Sequence, residues 1–385
     1  MNLQSAIEYL TETSQTLLAG CRVAAQDGTI LYTPDGHGNY PALWTRDFAY
    51  MVENAAGLIP PEEIQAGIRF LLRGQRADGA MPDRVRPDGL AVYVAGPEDQ
   101  PMGEPNLDNP AFLVIAADTY LRGLPPARAA ALYQEWAPAL ARGLDYVPRS
   151  PAGLVSNDPL HPHSPYGFTD TVRKTGELFF ESLLDWTAAQ RMAFWEEQTA
   201  GQPAPQRARA ARIEAGLARL WDEQAGAFLA ASQDCRQVDV WGCAYALYLG
   251  IPLGSRRERL LDFMEHELAR YAWQGQIRHL LRGEYWQRTF IPVPPDEYQN
   301  GAYWATASGW VIWALAQRQP DLAQQVLDDL IASFRAEGVY ECIHTGYHKL
   351  DSYVASATNP LGALRLLAQL PRLADQPRPN PAGAA

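Results

Sequence analysis

The 385-residue sequence is poor in the features that mark several large protein classes. It has four cysteines, Cys21, Cys235, Cys243 and Cys342, with no CxxC pair and no histidine pair beside them at zinc spacing. That excludes a disulfide framework or a zinc module and predicts four reduced, mostly buried thiols. No run of Lys or Arg occurs, and the net charge is -12. Such a surface repels phosphate backbones and anionic lipid, so neither nucleic acid nor membrane is an expected partner. The apolar stretch 301-316 is shorter than the roughly 20 residues a bilayer requires, and it carries Thr306 and Ser308. The first residues, MNLQSAIEYL, lack a basic segment followed by an apolar one. No secretory signal is read there, and a cytoplasmic location is expected.

What the sequence does have is apolar and aromatic. Hydrophobic residues make up 47%, and there are 11 Trp and 18 Tyr. Aromatic faces pack cores, and they also stack on the C–H faces of sugar rings. About twelve helices are expected, of two alternating kinds. One kind is amphipathic: in 319-336, Leu322, Val326, Leu327, Leu330, Ile331 and Phe334 form a single stripe. Similar faces occur near 3-19, 61-73, 126-146, 203-221 and 254-270. The other kind is apolar almost all round, as in 110-121, 239-250 and 301-316. A helix of that kind is buried on every side.

Alternation of outer and inner helices describes two concentric rings. Six inner helices start near Trp44, Asn109, Gly176, Asp239, Asn300 and Ala355. The spacing of roughly 60 residues suits one helical hairpin plus loops. The fold class is therefore all-α, an (α/α)6 barrel, with a stacked solenoid as the rival. A β-like piece with Asp-Gly turn signals is expected at 23-36, hairpins at 83-96 and 279-290, and the Pro-rich 202-206 reads as a loop. One domain over 1-374 and a disordered tail over 375-385 are expected.

Polar clusters precede nearly every inner helix. They are Trp44 to Asp47, Asn106 to Asn109, Thr169 to Lys174, Asp239 to Trp241, Glu297 to Asn300, and Glu341 to Asp351. If the inner helices run parallel, all six clusters meet at one end and line a cup. Carboxylates, amides, guanidinium and tryptophan suit a neutral polyhydroxyl ligand. Helix caps account for many such residues. Capping does not account for Trp44, Arg46, Trp241 or Glu341.

Glycosidic cleavage needs one carboxyl group to protonate the leaving oxygen and another to activate water or attack the anomeric carbon. The cup offers Asp47, Asp108, Asp170, Glu177, Asp239, Asp296, Glu297, Glu341 and Asp351. Arg46 beside Asp47, and Arg173 and Lys174 beside Asp170, are expected to keep those two ionised. Asp108 has no neighbouring cation. With Asn109 as cap and Pro110 opening the helix, it is free to point into the cup before an apolar run. A drier setting raises a carboxyl pKa, which a general acid needs. Glu341 is a plausible base.

The order Trp44-Thr-Arg-Asp47-Phe48, Leu107-Asp108-Asn109, Tyr298-Gln299-Asn300-Gly301 with Trp304, then Tyr340-Glu341, resembles the six-hairpin glycosidases. It is similar to the neutral/alkaline invertases and to the processing α-glucosidase and mannosylglycerate hydrolase group. The resemblance spans about residues 40-360. It departs at Ala302, where the invertases have a second Gly, and at Cys342 after the late Glu. The resemblance implies an inverting glycoside hydrolase with Asp108 as general acid and Glu341 as general base. It also implies a sugar subsite with Trp44, Arg46, Asp47, Gln299, Asn300 and Trp304.

Asp170, Arg173, Lys174, Glu177, Trp241, His344 and His348 complete the expected substrate-binding set. The partner is a small sugar or glycoside, and a cup closed at one end favours exo action. Arg46, Arg173, Lys174 and the histidines leave an acidic sugar or aglycone open. No cofactor and no metal is called for, since His161-Pro-His163 has no third ligand within reach by sequence. The alternative reading is a sugar 2-epimerase on the same barrel, using His161, His163, His344 and His348 for proton transfer at carbon.

Overall fold

The computed structural model describes residues 2–370. The tail expected over 375-385 lies outside the described residues. Thirteen helices carry the fold: α1 (Leu3–Gly20), α2 (Thr45–Ala55), α3 (Pro61–Arg73), α4 (Asn109–Arg122), α5 (Pro126–Tyr146), α6 (Phe179–Gln198), α7 (Ala204–Gly216), α8 (Val240–Leu249), α9 (Arg256–His266), α10 (Leu268–Tyr271), α11 (Ser308–Ala316), α12 (Pro320–Glu337) and α13 (Val354–Gln369).

Burial sorts them into two rings. In α4, 12 of 14 residues are buried, whereas α1 buries only Ala6, Leu10, Ser14 and Leu18 of its 18. The apolar run of α4 leaves no polar face to solvate, so it belongs inside. The inner helices contact one another in the cycle α2, α4, α6, α8, α11, α13 and back to α2. The ring is therefore closed, and the barrel rather than the solenoid is the architecture. Outer helices pack against it, α1 on α13, α5 on α4, α7 on α6, α9 on α8 and α12 on α11.

Local chemistry sets several helix ends. Asn2 caps α1 by accepting the Ser5 amide at 2.8 Å, and Asp239 caps α8 by accepting the Gly242 amide at 2.9 Å. Gly250 ends α8 in the left-handed conformation, φ +66°. The expected cap of α4 is not formed. Neither Asp108 nor Asn109 bonds the helix start through its side chain, and both Asn109 amide atoms are buried without a partner.

Two expectations of secondary structure change. The fifth inner helix begins at Ser308, not near Asn300. Residues Asp296, Tyr298 and Gly301 have φ of +66°, +43° and +127°, and Tyr303 and Trp304 bridge to Ile343 and Ile277. Backbone committed to those pairings cannot enter a helix. The hairpin expected at 279-290 is absent, and the pairing occurs at Ala272–Trp273 with Gln276–Ile277. The hairpins at 23-36 and 83-96 are present, the second joined by Leu43–Trp44 into a three-stranded sheet. A hairpin missed in the sequence, Tyr340–His344 with Tyr347–Asp351, connects α12 to α13.

The inner helices present their N-termini to one end. Tyr353, before α13, donates to Asp47 in the first turn of α2 at 2.6 Å. Gln299 donates to Asp170, bringing the segment before α11 to the segment before α6. The cup inferred from the polar clusters is thus formed. Among the described residues, no helix is long and apolar enough to cross a membrane. All four cysteines are free and buried.

Candidate active site

A small chamber sits at the N-terminal end of the inner ring. Tyr40, Trp44, Arg46, Asp47, Gly167, Asp170, Tyr298, Trp304, Glu341 and Tyr353 line it. Tyr40, Trp44, Asp170 and Tyr298 also line a wider outer pocket of about 920 Å³. These four residues form the boundary between the two spaces.

Arg46 is the electrostatic hub. It projects from the first turn of α2, bonds Asp83, lies 3.5 Å from Asp170 Oδ2 and 4.0 Å from Asp47 Oδ2. The Thr45 amide donates to the Asp83 carbonyl at 2.9 Å, which fixes the segment just before the strand Arg84–Val85 beside the helix start. Gly167 makes room, because a Cβ there would overlap the Arg46 side chain. One guanidinium among several buried carboxylates has its pKa driven well above the ordinary value. Asp83 was not among the residues expected from the sequence.

One cation cannot hold all its neighbours fully ionised. Burial pushes Asp47 up to about 6, against Arg46 and the Tyr353 hydroxyl. The sequence expectation for Asp47 is corrected on this point: the desolvation of a carboxylate 2% exposed outweighs the adjacent arginine. Asp170 is likewise pushed up to about 6 by burial, against Arg46 and the Gln299 amide, which donates at 2.8 Å. Gln299 is held in turn by the Thr171 amide at 2.8 Å and hydroxyl at 2.6 Å. The sequence neighbours expected to keep Asp170 ionised point elsewhere. Arg173 reaches the Pro159 carbonyl at 2.6 Å, and Lys174 pairs with Glu181 at 2.7 Å in the interior.

Glu341 enters from the hairpin before α13. Its carboxylate accepts from the Tyr40 hydroxyl at 3.1 and 3.3 Å, and Lys349 Nζ lies 3.2 Å away. The same ammonium sits 3.2 Å from the centre of the Tyr298 ring. Burial pushes Glu341 up to about 7, with Lys349 and Tyr40 pulling the other way. The chain has only two lysines, Lys174 and Lys349, and each is paired with a buried glutamate.

Asp108 takes a different position. It is 1% exposed and does not line the chamber. Its Oδ2 accepts the Gly167 amide at 2.7 Å, and Oδ1 is buried without a partner. Burial raises its pKa to about 7, as the sequence argument expected, but it lies behind the backbone of the chamber wall.

Several expected contacts are structural. Asn300 accepts the Trp286 amide at 2.8 Å and donates to the Val293 carbonyl at 2.9 Å, bracing a loop. Trp241 is fully buried and stacks against His279 at 3.9 Å, outside the chamber lining. Glu177 pairs with Arg219 at 2.7 Å. His344 stacks on Tyr303, and His348 stacks on Tyr340 and pairs with Glu337 at 3.3 Å. No histidine lines the chamber or the outer pocket among the described residues. Trp44 does line both, with its Nε1 buried and unpartnered, but Arg46 and Arg84 already lie 4.9 and 4.7 Å from its ring centre. Among the described residues, no group of three or more His, Cys, Asp or Glu is arranged to hold a metal ion.

No protein-family model and no curated protein sequence matches the chain. Solved structures do. A GH63 mannosylglycerate hydrolase from Thermus thermophilus, in complex with Tris and D-glycerate, is similar at 16% identity and TM-score 0.66, over 91% of this chain and 99% of that one. A rhamnosidase from Klebsiella oxytoca with rhamnose bound matches at 14% identity and TM-score 0.65, over 94% of this chain and 64% of the other. The glucoamylase of Saccharomycopsis fibuligera matches at 16% identity and TM-score 0.60, over 95% of each chain. The chain has the (α/α)6 barrel fold of the six-hairpin glycosidases.

Proposed function

We propose that the protein is an exo-acting glycoside hydrolase, a single catalytic unit in which Glu341 is the general base and Asp170 the general acid. One observation carries the assignment. Asp170 lines both the inner chamber and the outer pocket, whereas Glu341 lines the inner chamber alone. The group that protonates a leaving oxygen must stand where glycone and aglycone meet. Asp170 is on that boundary, and Glu341 is deeper, where it activates water. The acid role expected for Asp108 passes to Asp170, because Asp108 reaches neither space.

The chemistry follows from the partners. Lys349 and Tyr40 favour the ionised form of Glu341, which then accepts a proton from water as it attacks the anomeric carbon. Asp170 gives its proton to the departing oxygen and is left as a carboxylate beside Arg46 and the Gln299 amide, both of which stabilise that charge. Asp47, held by Tyr353, is placed to accept from sugar hydroxyls. Trp44 Nε1–H is a spare donor. The reaction inverts the anomeric centre in this reading.

The mannosylglycerate hydrolase complex with D-glycerate makes an acidic aglycone one model for the substrate. Here Arg46 is committed to carboxylates of the protein, and a neutral glycone fits better. The test is a panel of α- and β-linked disaccharides, aryl glycosides and glycosyl-glycerates, with sugar release as the readout. NMR of the first-formed anomer decides the stereochemistry. Cleavage of no member, or change of a free sugar without cleavage, overturns the reading.

A further inference from the structure

The outer pocket has a character of its own. Its wall is built from Pro41, Ala42, Pro87, Pro97, Met102 and Ile291, set around Trp44. Pro41 and Pro97 are exposed, and Pro87 and Ile291 are half-buried. This apolar wall stands at the mouth of a polar chamber and is open to solvent. Three of the six residues are proline, whose fixed φ removes backbone freedom. A wall of that kind is preformed, and little entropy is lost when a ligand settles on it.

The cations at this mouth are already engaged. Arg84 bonds Asp83 at 2.8 Å, the Val94 carbonyl at 3.3 Å and the Gly96 carbonyl at 2.9 Å. Arg86 bonds Asp88 at 2.8 Å and Glu98 at 3.3 Å. Arg46, in the chamber behind, bonds Asp83 and faces Asp170. These three are the cations lining the two spaces among the described residues, and each is matched by a carboxylate. Asp170 adds a further carboxylate at the junction. A carboxylate-bearing leaving group would meet an anionic rim and would have to displace an existing ion pair to find a partner.

We propose that the outer pocket is an aglycone subsite for a neutral, apolar leaving group, an aryl or alkyl alcohol rather than an acid. The proposal rests on the hydrolase reading for the role of the pocket, but not for its binding preference. With the sugar in the inner chamber, its anomeric oxygen lies at the boundary formed by Tyr40, Trp44, Asp170 and Tyr298. An aromatic or alkyl group on that oxygen then meets the proline wall.

The experiment compares three ligands that share one glycone: the methyl glycoside, the phenyl glycoside and the glycoside of glycerate. Binding is measured by calorimetry on Glu341→Gln, so that cleavage does not intervene, and kcat/KM is measured on the unaltered protein. The phenyl glycoside is expected to bind about tenfold more tightly than the methyl glycoside, in proportion to the apolar surface covered. The glycerate compound is expected to bind no better than the methyl one. Ile291→Ser should remove much of the phenyl preference and leave methyl glycoside binding unchanged. Glu98→Lys, which replaces a rim carboxylate by a cation, should improve the glycerate compound alone.

Equal or undetectable binding of phenyl and methyl glycosides overturns the proposal, as does tightest binding of the glycerate compound. A phenyl preference without any cleavage leaves the subsite standing and sinks the hydrolase reading instead.

Discussion

Asp108 accepts the backbone amide of Gly167 at 2.7 Å, and through that bond it supports the wall past which Arg46 reaches its carboxylates. It is a brace for the chamber, not a face of it. Asp108→Asn keeps an acceptor for the Gly167 amide and is expected to retain activity within about tenfold. Asp170→Asn and Glu341→Gln should each lower kcat by about 10²–10⁴-fold, the usual worth of general acid–base catalysis. Steady-state kinetics on the three variants checks this. Equal loss in Asp108→Asn and Asp170→Asn, with native-like circular dichroism in both, would reinstate Asp108 as the acid.

A second expectation concerns pH. Turnover by the proposed mechanism needs Glu341 ionised and Asp170 protonated, and their pKa values are raised to about 7 and about 6. The profile of kcat/KM should be a bell with limbs near those values, and both belong to the interacting pair. Lys349→Met leaves Glu341 buried with no adjacent ammonium, so its pKa rises further. The bell should then broaden to higher pH while its maximum falls, because fewer molecules hold the proton on Asp170 with Glu341 ionised. Lys349→Arg should restore the original limbs. Unchanged limbs in Lys349→Met would show that the ammonium does not set the Glu341 charge.

The scarcity of lysine gives a third. Lys349 has 27% of its side chain exposed and Lys174 has 1%. Apart from the α-amino group, acetylation, which removes the ammonium charge, should label Lys349 first. Inactivation should track that labelling and be slowed by a bound sugar. Full labelling of Lys349, read by mass spectrometry, with full activity retained would count against its place beside the base.

Lys174 was expected at the substrate and lies instead in the interior, 2.7 Å from Glu181. Lys174→Met leaves a buried glutamate without its partner and should cost about 3–5 kcal/mol of stability. KM should be unchanged in whatever fraction folds. A selective rise in KM at unchanged melting temperature would return Lys174 to the binding site.

Much of this architecture is legible in the sequence, and the misreadings have physical causes. Five of the six inner helices begin within about three residues of the starts expected from the sequence, because a fully apolar run such as 110-121 has nowhere to go but inside. The fifth fails because GAYWATA, 301-307, is as apolar as the helix after it. Only the positive φ of Gly301 and the bridges of Tyr303 and Trp304 distinguish it. The hairpin at 340-351 gives no two-residue alternation, since Glu341, Cys342 and Ile343 are buried in succession. Asp83 reaches the site from outside the six polar clusters, and nothing local singles out Lys349 within the last of them. The proposed preference for Asp170 over Asp108 turns on one physical point: cations adjacent to Asp170 in sequence are not adjacent to it in space. Arg173 and Lys174 turn away from Asp170, while Arg46, 124 positions earlier in number, faces it.

The ring closes where α13 meets α2, and that seam runs through the chemistry. Asp47 sits on one side of it, and Glu341 and Tyr353 sit on the other. During synthesis the first inner helix emerges some 300 residues before the last. Until α13 arrives, α2 and α11 each lack a neighbour and keep an apolar flank open, the kind of surface that holds a nascent chain in need of a chaperone. Assembly of the proposed site therefore waits for the final hairpin and helix, which close the ring. Loss of the seam contacts would leave a barrel with most of its secondary structure and no working site.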